Sequence, residues 1–170
     1  DTILTYLKKL KGKIYYKAGW LGFNISGSTI NKVRNIGQKK GIVWNTYEQR
    51  LFKLISKKFG SKFDKFLSGQ FYIIAWIKGD KVTRKHEIIH AKFYLDWVYQ
   101  RKVSEILEKN GLKKGRKYLK KLKYRVSKDV AGRYIVLDEM NAYAMEENSK
   151  DTAKDLGIVA DGSFFEKQLT

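Results

Sequence analysis

Hydrophobic and polar positions along this chain follow two different patterns, and the first of them predicts strands. Short runs rich in aromatic and β-branched residues occur at residues 13–18, 20–25, 41–45 and 71–77. The last run is the clearest, because it is bounded by Gly69 and by the turn signal Gly79-Asp80. Two segments rich in Ser, Gly and Asn, residues 26–33 and 35–41, predict turns between the earlier strands.

The second pattern, apolar residues three and four positions apart, predicts helices. Asn45 and Glu48 form a capping-box pattern at the start of one of them, whose apolar positions are Leu51, Phe52, Leu54 and Ile55. A further amphipathic piece follows, with Phe63, Phe66 and Leu67. These positions predict a helical region between the early strands and the strand at 71–77.

Three more helices are predicted after residue 80. Thr83 is a candidate cap for the first, and Asp96 caps the second, which ends at Asn110-Gly111. The buried stripe of that second helix contains Tyr99, Val103, Ile106 and Leu107. The third helix covers residues 133–147, with Leu137, Met140 and Ala144 facing inward.

These elements predict an α+β protein with one domain over residues 1–170. It would comprise N-terminal strands and helices (1–68), a core that carries the candidate chemistry (69–147) and a C-terminal tail (148–170). The sequence contains no Pro and no internal repeat that we detect, so it gives no indication of a linker between domains. The chain begins at Asp1 without an initiator Met, so we expect it to be a processed or excised piece of a longer protein.

Composition narrows the class of protein. The longest apolar run, residues 71–77, is far shorter than the roughly 20 residues of a membrane-spanning helix. The first residues lack the basic and apolar regions of a signal peptide, so we expect a soluble protein whose compartment is unknown. The absence of Cys excludes disulfides and thiolate metal ligands, so any metal must be held by His and carboxylate.

The net charge of +19 is high for 170 residues and favours anionic partners. The most basic stretch, residues 113–128, has a narrow apolar side formed by Tyr118, Leu119 and Leu122. We call its cationic surface the basic face, made up of Lys113, Lys114, Arg116, Lys117, Lys120 and Lys121. Because the charge is mainly Lys rather than Arg, a solvated helical face is a better explanation than nucleic-acid recognition.

Both histidines of the chain lie in the segment RKHEIIHAKFYLD, residues 84–96. His86 and His90 are four apart, so on a helix they project from one face and can bind one metal ion together. Glu87 is rotated by about 100° around the helix and can reach a water on that metal without being a ligand. Two polar residues on one surface helix are the alternative.

A catalytic zinc needs a third protein ligand, which must here be Asp or Glu. Glu105 and Glu108 lie on a predicted helix whose other faces are already occupied by packing, so we expect their side chains to be exposed to solvent. Asp138 and Glu139 lie among apolar residues in the segment YIVLDEMNAYAM, where a buried carboxylate needs a partner. Either of the two is a candidate, and a surface pair is the alternative.

The H-E-x-x-H motif followed tens of residues later by a Glu on a second helix resembles the gluzincin zinc peptidases. The forms HEIIHA and DEMNAY are also similar to those of poorly characterised metallopeptidases with HExxHA and DExxAY motifs. The resemblance covers about residues 70–146. It implies a zincin-like fold, with a small mixed or antiparallel sheet, an active-site helix and a distal-Glu helix.

The resemblance also implies roles for individual residues. His86, His90 and Glu139 would bind Zn²⁺, and Glu87 would act as the general base. Asp138 would then orient one of the two histidines without binding the zinc itself. The strand at 71–77 would pair with a substrate peptide, although it is equally well explained as a core strand. By their positions relative to Glu139, Tyr143 or Tyr134 could donate a hydrogen bond to the developing oxyanion, although a structural role is the more common one for each.

The expected function is therefore a zinc-dependent metallopeptidase that hydrolyses peptide bonds through a Glu-activated water. Its substrate would be a peptide or protein, and an acidic one would suit the basic face. The alternative is a basic module that binds nucleic acid or another anionic surface through residues 113–128, with a structural or inactive metal site. In that alternative Tyr118 and Tyr124 would stack on bases.

Overall fold

The protein is described here by a computed structural model that covers residues 22–59, 71–110, 112–124 and 126–145. It is a mixed α and β structure, mostly helical. The strands β1 (Gly22–Ser26) and β2 (Tyr72–Trp76) pair in a two-stranded antiparallel sheet. Within these residues the six helices are α1 (Gly27–Lys39), α2 (Thr46–Phe59), α3 (Lys81–Leu95), α4 (Trp97–Asn110), α5 (Leu112–Lys121) and α6 (Val130–Ala144).

The α+β class is confirmed, as are the strands that correspond to β1 and β2. The strand predicted at 13–18, the amphipathic piece with Phe63, Phe66 and Leu67, and the tail 148–170 lie outside the described residues. Among the described residues no helix is long and apolar enough to cross a membrane. The chain divides into two compact units, which are described separately below.

The first unit contains residues 25–59 and 71–73 of the described chain. Its small core consists of Ile30, Ile55 and Phe71, with four half-buried apolar residues around them. The capping box is confirmed: Asn45 Oδ1 accepts from Glu48 N at 3.0 Å, and the Glu48 carboxylate accepts from Asn45 N at 2.7 Å. Of the apolar positions predicted for α2, Leu54 is exposed and does not join the core.

Two predictions in this unit are wrong. The turns predicted within residues 26–41 are instead the helix α1, which Ser26 caps by accepting from Thr29 N at 3.2 Å. Its Ser, Gly and Asn residues fit because the helix buries only Gly27, Ile30 and Gly37. The strand predicted at 41–45 is irregular; Trp44 packs there against Gly37 and Phe52.

The second unit contains residues 22–24 and 74–145 of the described chain, and its core lies around α6. Helices α3, α4 and α5 all pack against α6. The predicted inward residues Leu137, Met140 and Ala144 are buried, as are Tyr99, Val103 and Leu107 on α4. These side chains form one continuous apolar cluster with Ile89, Phe93, Leu119 and Val136.

Aspartates cap three of the four described helices of this unit. Asp80, not Thr83 as predicted, caps α3: its Oδ1 accepts from Thr83 N at 2.9 Å and its Oδ2 from the Thr83 hydroxyl at 2.6 Å. Asp96 caps α4 as predicted, by accepting from the Val98 and Tyr99 amides at 3.0 Å each. Asp129 caps α6, so that helix begins three residues earlier than predicted.

Helix α5 approaches α6 closely at Gly115. A Cβ at this position would overlap the Met140 side chain, so any larger residue would require Met140 to move. Leu119, one turn later, is fully buried in the same interface. Helix α6 is therefore held from three sides, and this packing fixes the direction in which its carboxylates point.

Candidate metal centre

Helices α3 and α6 bring together His86, His90 and Glu139. The Nε2 atoms of the two histidines are 2.9 Å apart. Glu139 Oε2 lies 3.7 Å from His90 Nε2 and 3.9 Å from His86 Nε2. Within the described residues this carboxylate oxygen is buried and accepts no hydrogen bond, which is costly for a carboxylate unless another ligand is present.

The donor set fits a small divalent cation. From the three separations, a point equidistant from these atoms lies about 2.1 Å from each, which is the usual length of a bond from zinc to His or carboxylate. Two imidazoles and one carboxylate are also the ligand types of catalytic zinc sites. The three residues could therefore hold a zinc ion together.

Asp138 lies behind one of the histidines. Its Oδ1 is 2.8 Å from His90 Nδ1, a distance that fits a hydrogen bond. A carboxylate can only accept, so this contact favours the tautomer with the proton on His90 Nδ1, in which the Nε2 lone pair faces His86 and Glu139. Carboxylates in this position commonly orient metal-binding histidines through the second ring nitrogen.

Burial and charge perturb the ionisable groups of this cluster. Burial lowers the pKa of His90, but the hydrogen bond to Asp138 and the charges of Asp138, Glu139 and Glu87 outweigh burial, so the pKa is raised. Burial also raises the pKa of Glu139, against the opposing effect of the two histidines. In the metal-free protein both groups therefore hold protons more tightly than usual.

Glu87 lies at the same end of α3 and is only 5% exposed. Its Oε2 accepts a hydrogen bond of 2.7 Å from Asn24 Nδ2 on β1. The strand approaches so closely that a Cβ on Gly22 would lie 2.8 Å from Glu87 Oε1. The predicted base is therefore buried between α3 and β1, and its charge acts on the neighbouring His90.

The predicted oxyanion donors differ in their surroundings. The Tyr143 ring packs edge-on against His86, with ring centroids 4.9 Å apart. Its hydroxyl lies 3.2 Å from that of Tyr124. Tyr134 instead accepts from Gln100 and packs against Phe93, on a different side of α6. Of the two candidates, the structure brings only Tyr143 to the histidines.

Two residues of this cluster were missed by the sequence-based analysis. Asn24 contacts Glu87, and the sequence contained one signal for it, since Asn is depleted in strands. Tyr124 lies within hydrogen-bonding reach of Glu139 and next to Tyr143, and burial, with that neighbouring negative charge, raises its pKa. The sequence pattern indicated Tyr124 only as a base-stacking residue of the alternative function, because it follows the most basic helix of the chain.

The basic face lies on α5. Lys113, Lys114, Lys117, Lys120 and Lys121 are exposed, whereas Arg116 is partly buried and donates to the Ser127 carbonyl oxygen at 2.5 Å. Tyr118 and Tyr124 are turned toward the core, where Tyr118 packs edge-on against Tyr143. These two rings are therefore not interleaved with the lysines on the surface, as base stacking would require.

Comparisons with known proteins do not assign the chain to a family. Neither the protein-family models, nor the curated proteins, nor the solved structures gave a match to it. The geometry of the cluster and the chemistry of its side chains therefore provide the basis for a functional conclusion.

Proposed function

We propose that this protein is a zinc-dependent metallopeptidase. The observation that carries the proposal is the convergence of His86 Nε2, His90 Nε2 and Glu139 Oε2. The carboxylate oxygen is buried without a hydrogen bond in the described structure, and its separations from the two nitrogens suit bonds to one shared ion. Three protein ligands leave a fourth position open for water or substrate, as catalysis requires.

Each residue of the cluster has a role in this proposal. Zinc, when bound, polarises the scissile carbonyl and lowers the pKa of a coordinated water to about 7. Glu87 accepts a proton from the attacking water as its oxygen bonds to the carbonyl carbon. The C–N bond then breaks, and Glu87 delivers that proton to the leaving amine nitrogen.

The remaining groups support these steps. Asp138 holds the His90 ring so that Nε2 points toward the other two ligands. Tyr143 packs on His86, and its hydroxyl is the donor that we assign to the developing oxyanion. No covalent intermediate is required, because water itself attacks.

The basic face adds a preference for acidic substrates. Five exposed lysines on one short helix, in a chain with a net charge of +19, attract negatively charged chains over a range set by the salt concentration. The second candidate function, binding of nucleic acid or another anionic surface, uses the same lysines. It predicts association that weakens steeply as salt rises, without hydrolysis.

Metal analysis and one conservative substitution test the proposal. The purified protein is expected to contain about one zinc per chain when prepared with zinc. Glu87→Gln should keep the metal and lose hydrolysis of an unstructured peptide, because Glu87 contacts water rather than the ion. Glu105→Gln is the matched control, since Glu105 is exposed on α4.

Three results would contradict parts of this proposal. A zinc-loaded wild-type protein that cleaves no peptide would remove the peptidase activity. Loss of metal in Glu87→Gln would give Glu87 a different role. Full activity after removal of zinc by a chelator would exclude the metal from the reaction.

A further inference from the structure

We infer that Asn24 is a positioning residue that fixes the orientation of the Glu87 carboxylate. The inference rests on the proposed function, because it concerns the general base of that reaction. Its structural basis is the hydrogen bond of 2.7 Å between Asn24 Nδ2 and Glu87 Oε2, which joins residues 63 positions apart. Nothing in the H-E-x-x-H motif specifies such a partner.

The direction of this bond follows from chemistry. A carboxylate only accepts hydrogen bonds, so the amide nitrogen of Asn24, and not its oxygen, must face Glu87. A bond to an ionised acceptor is stronger than one between neutral groups. Because Glu87 is 5% exposed, the bond replaces solvation that the carboxylate loses on folding.

The backbone of β1 makes the contact feasible. Gly22 and Asn24 are two apart on the strand, so both positions belong to the same face. A Cβ on Gly22 would lie 2.5 Å from Thr83 Cγ2 and 2.9 Å from the Ala75 carbonyl oxygen. Only glycine lets the strand approach α3 this closely, and this approach carries the short Asn24 side chain to Glu87.

A fixed carboxylate matters for the chemistry of a general base. The Glu side chain has several rotatable bonds, and a base must be within hydrogen-bonding reach of the proton that it accepts. A misplacement of about 1 Å can lower a rate by about 100-fold. Asn24 holds one carboxylate oxygen, and the strand beside Gly22 restricts the space around the other.

Kinetics of the zinc-loaded protein test the inference. Asn24→Ala should lower kcat by about 10–100-fold, as is typical when a partner of a site residue is removed. KM and zinc affinity should change much less than kcat, because the Asn24 amide donates to Glu87, which is not one of the three candidate ligands. Asn24→Asp should be at least as damaging, since it places a second negative charge beside Glu87. Asn31→Ala, the same change on α1, is the control and should leave kcat unchanged.

A thermal double-mutant cycle provides a readout that needs no activity. Asn24→Ala should lower the melting temperature of the wild type and have little effect in a Glu87→Ala background, because the shared bond is already lost. Additive effects would show that the two side chains are not coupled and would overturn the inference.

The outcomes separate this inference from the proposed function. If the zinc-loaded wild type hydrolyses no peptide, the proposed function fails, and the cycle alone decides whether Asn24 positions Glu87. If the wild type is active and Asn24→Ala keeps its full kcat, the inference on Asn24 fails while the peptidase proposal stands. A fall in zinc affinity equal to the fall in kcat would also overturn it, because Asn24 would then support the metal ligands.

Discussion

The assignment of Glu139 as a metal ligand and of Asp138 as a support predicts different results for two adjacent substitutions. Glu139 Oε2 faces both Nε2 atoms at 3.7 and 3.9 Å, whereas Asp138 Oδ1 is 2.8 Å from His90 Nδ1 on the other side of the ring. Glu139→Ala therefore leaves two ligands, which is one fewer than a catalytic zinc site needs. Asp138→Ala leaves all three ligands in place and removes only the contact that orients the His90 ring.

These differences translate into measurable stabilisation by zinc. At a free zinc concentration about 100 times the wild-type Kd, binding stabilises the folded state by about 2.7 kcal/mol. Loss of a supporting partner weakens metal binding by about 10–100-fold, which reduces the stabilisation to about 1.4–0.4 kcal/mol. For Glu139→Ala the affinity loss should exceed that range, so that the stabilisation is close to zero.

Thermal unfolding with and without buffered zinc measures the effect within each variant. For a protein of this size about 1 kcal/mol corresponds to about 2–4 °C, so the wild type should gain about 5–11 °C. Asp138→Ala should retain a smaller gain and Glu139→Ala none. Glu105→Ala, on the exposed side of α4, is the control and should behave as the wild type.

Two results would refute the assignment. A full gain in Glu139→Ala together with no gain in Asp138→Ala would exchange the roles of the two carboxylates. A full wild-type gain in both variants would show that neither carboxylate binds the ion, and the resemblance to the gluzincins would then lack a third metal ligand.

Three further predictions concern the surroundings of the site. Replacing the five exposed lysines of the basic face by Gln should leave turnover of a neutral short peptide within a few-fold, and a collapse of turnover in a folded variant would contradict a purely electrostatic role. Gly22→Ala should lower kcat without weakening zinc binding, because its Cβ would lie 2.8 Å from Glu87 Oε1, and weaker zinc binding would contradict that reasoning. Tyr99→Phe should lower the free energy of unfolding near neutral pH by about 1–3 kcal/mol, because it removes the buried bond of 2.9 Å to Asn141, whereas Tyr47→Phe on the surface should not. Burial raises the pKa of Tyr99 from 10.0 to about 12, so above pH 10 the unfolded chain loses this proton first and the wild type loses stability that the Phe variant keeps. Urea unfolding from pH 9 to 12 should show that difference narrowing, and a constant difference would refute the argument.

Local sequence signals predicted part of the fold correctly. The spacing of Tyr99, Val103 and Leu107 correctly predicted the buried side of α4, and Asp96 correctly predicted where that helix begins. Both features depend only on residues within one or two helical turns of each other. The same approach failed for α1, where Ser, Gly and Asn indicated turns. A helix that buries only a narrow side needs few apolar residues, so its periodicity is too weak to detect.

The candidate site shows the same division between local and distant information. The spacing of His86, Glu87 and His90 by itself determines that two imidazoles share one helical face with a carboxylate beside them, because helix geometry fixes this relation. That spacing does not determine which distant side chains reach this face. The packing of α6 against α3 turned Glu139 toward the two Nε2 atoms and Asp138 toward Nδ1.

Asn24 and Tyr124 are the clearest examples of what only the tertiary structure decided. Each reaches the site from an element far from α3 in sequence, β1 for Asn24 and the segment after α5 for Tyr124. The contact of Asn24 depends on the close approach at Gly22, where a Cβ would lie 2.9 Å from the Ala75 carbonyl oxygen. The sequence alone determined the chemistry available on one helix, and long-range packing decided which partners complete it, because such contacts have no periodic signature along the chain.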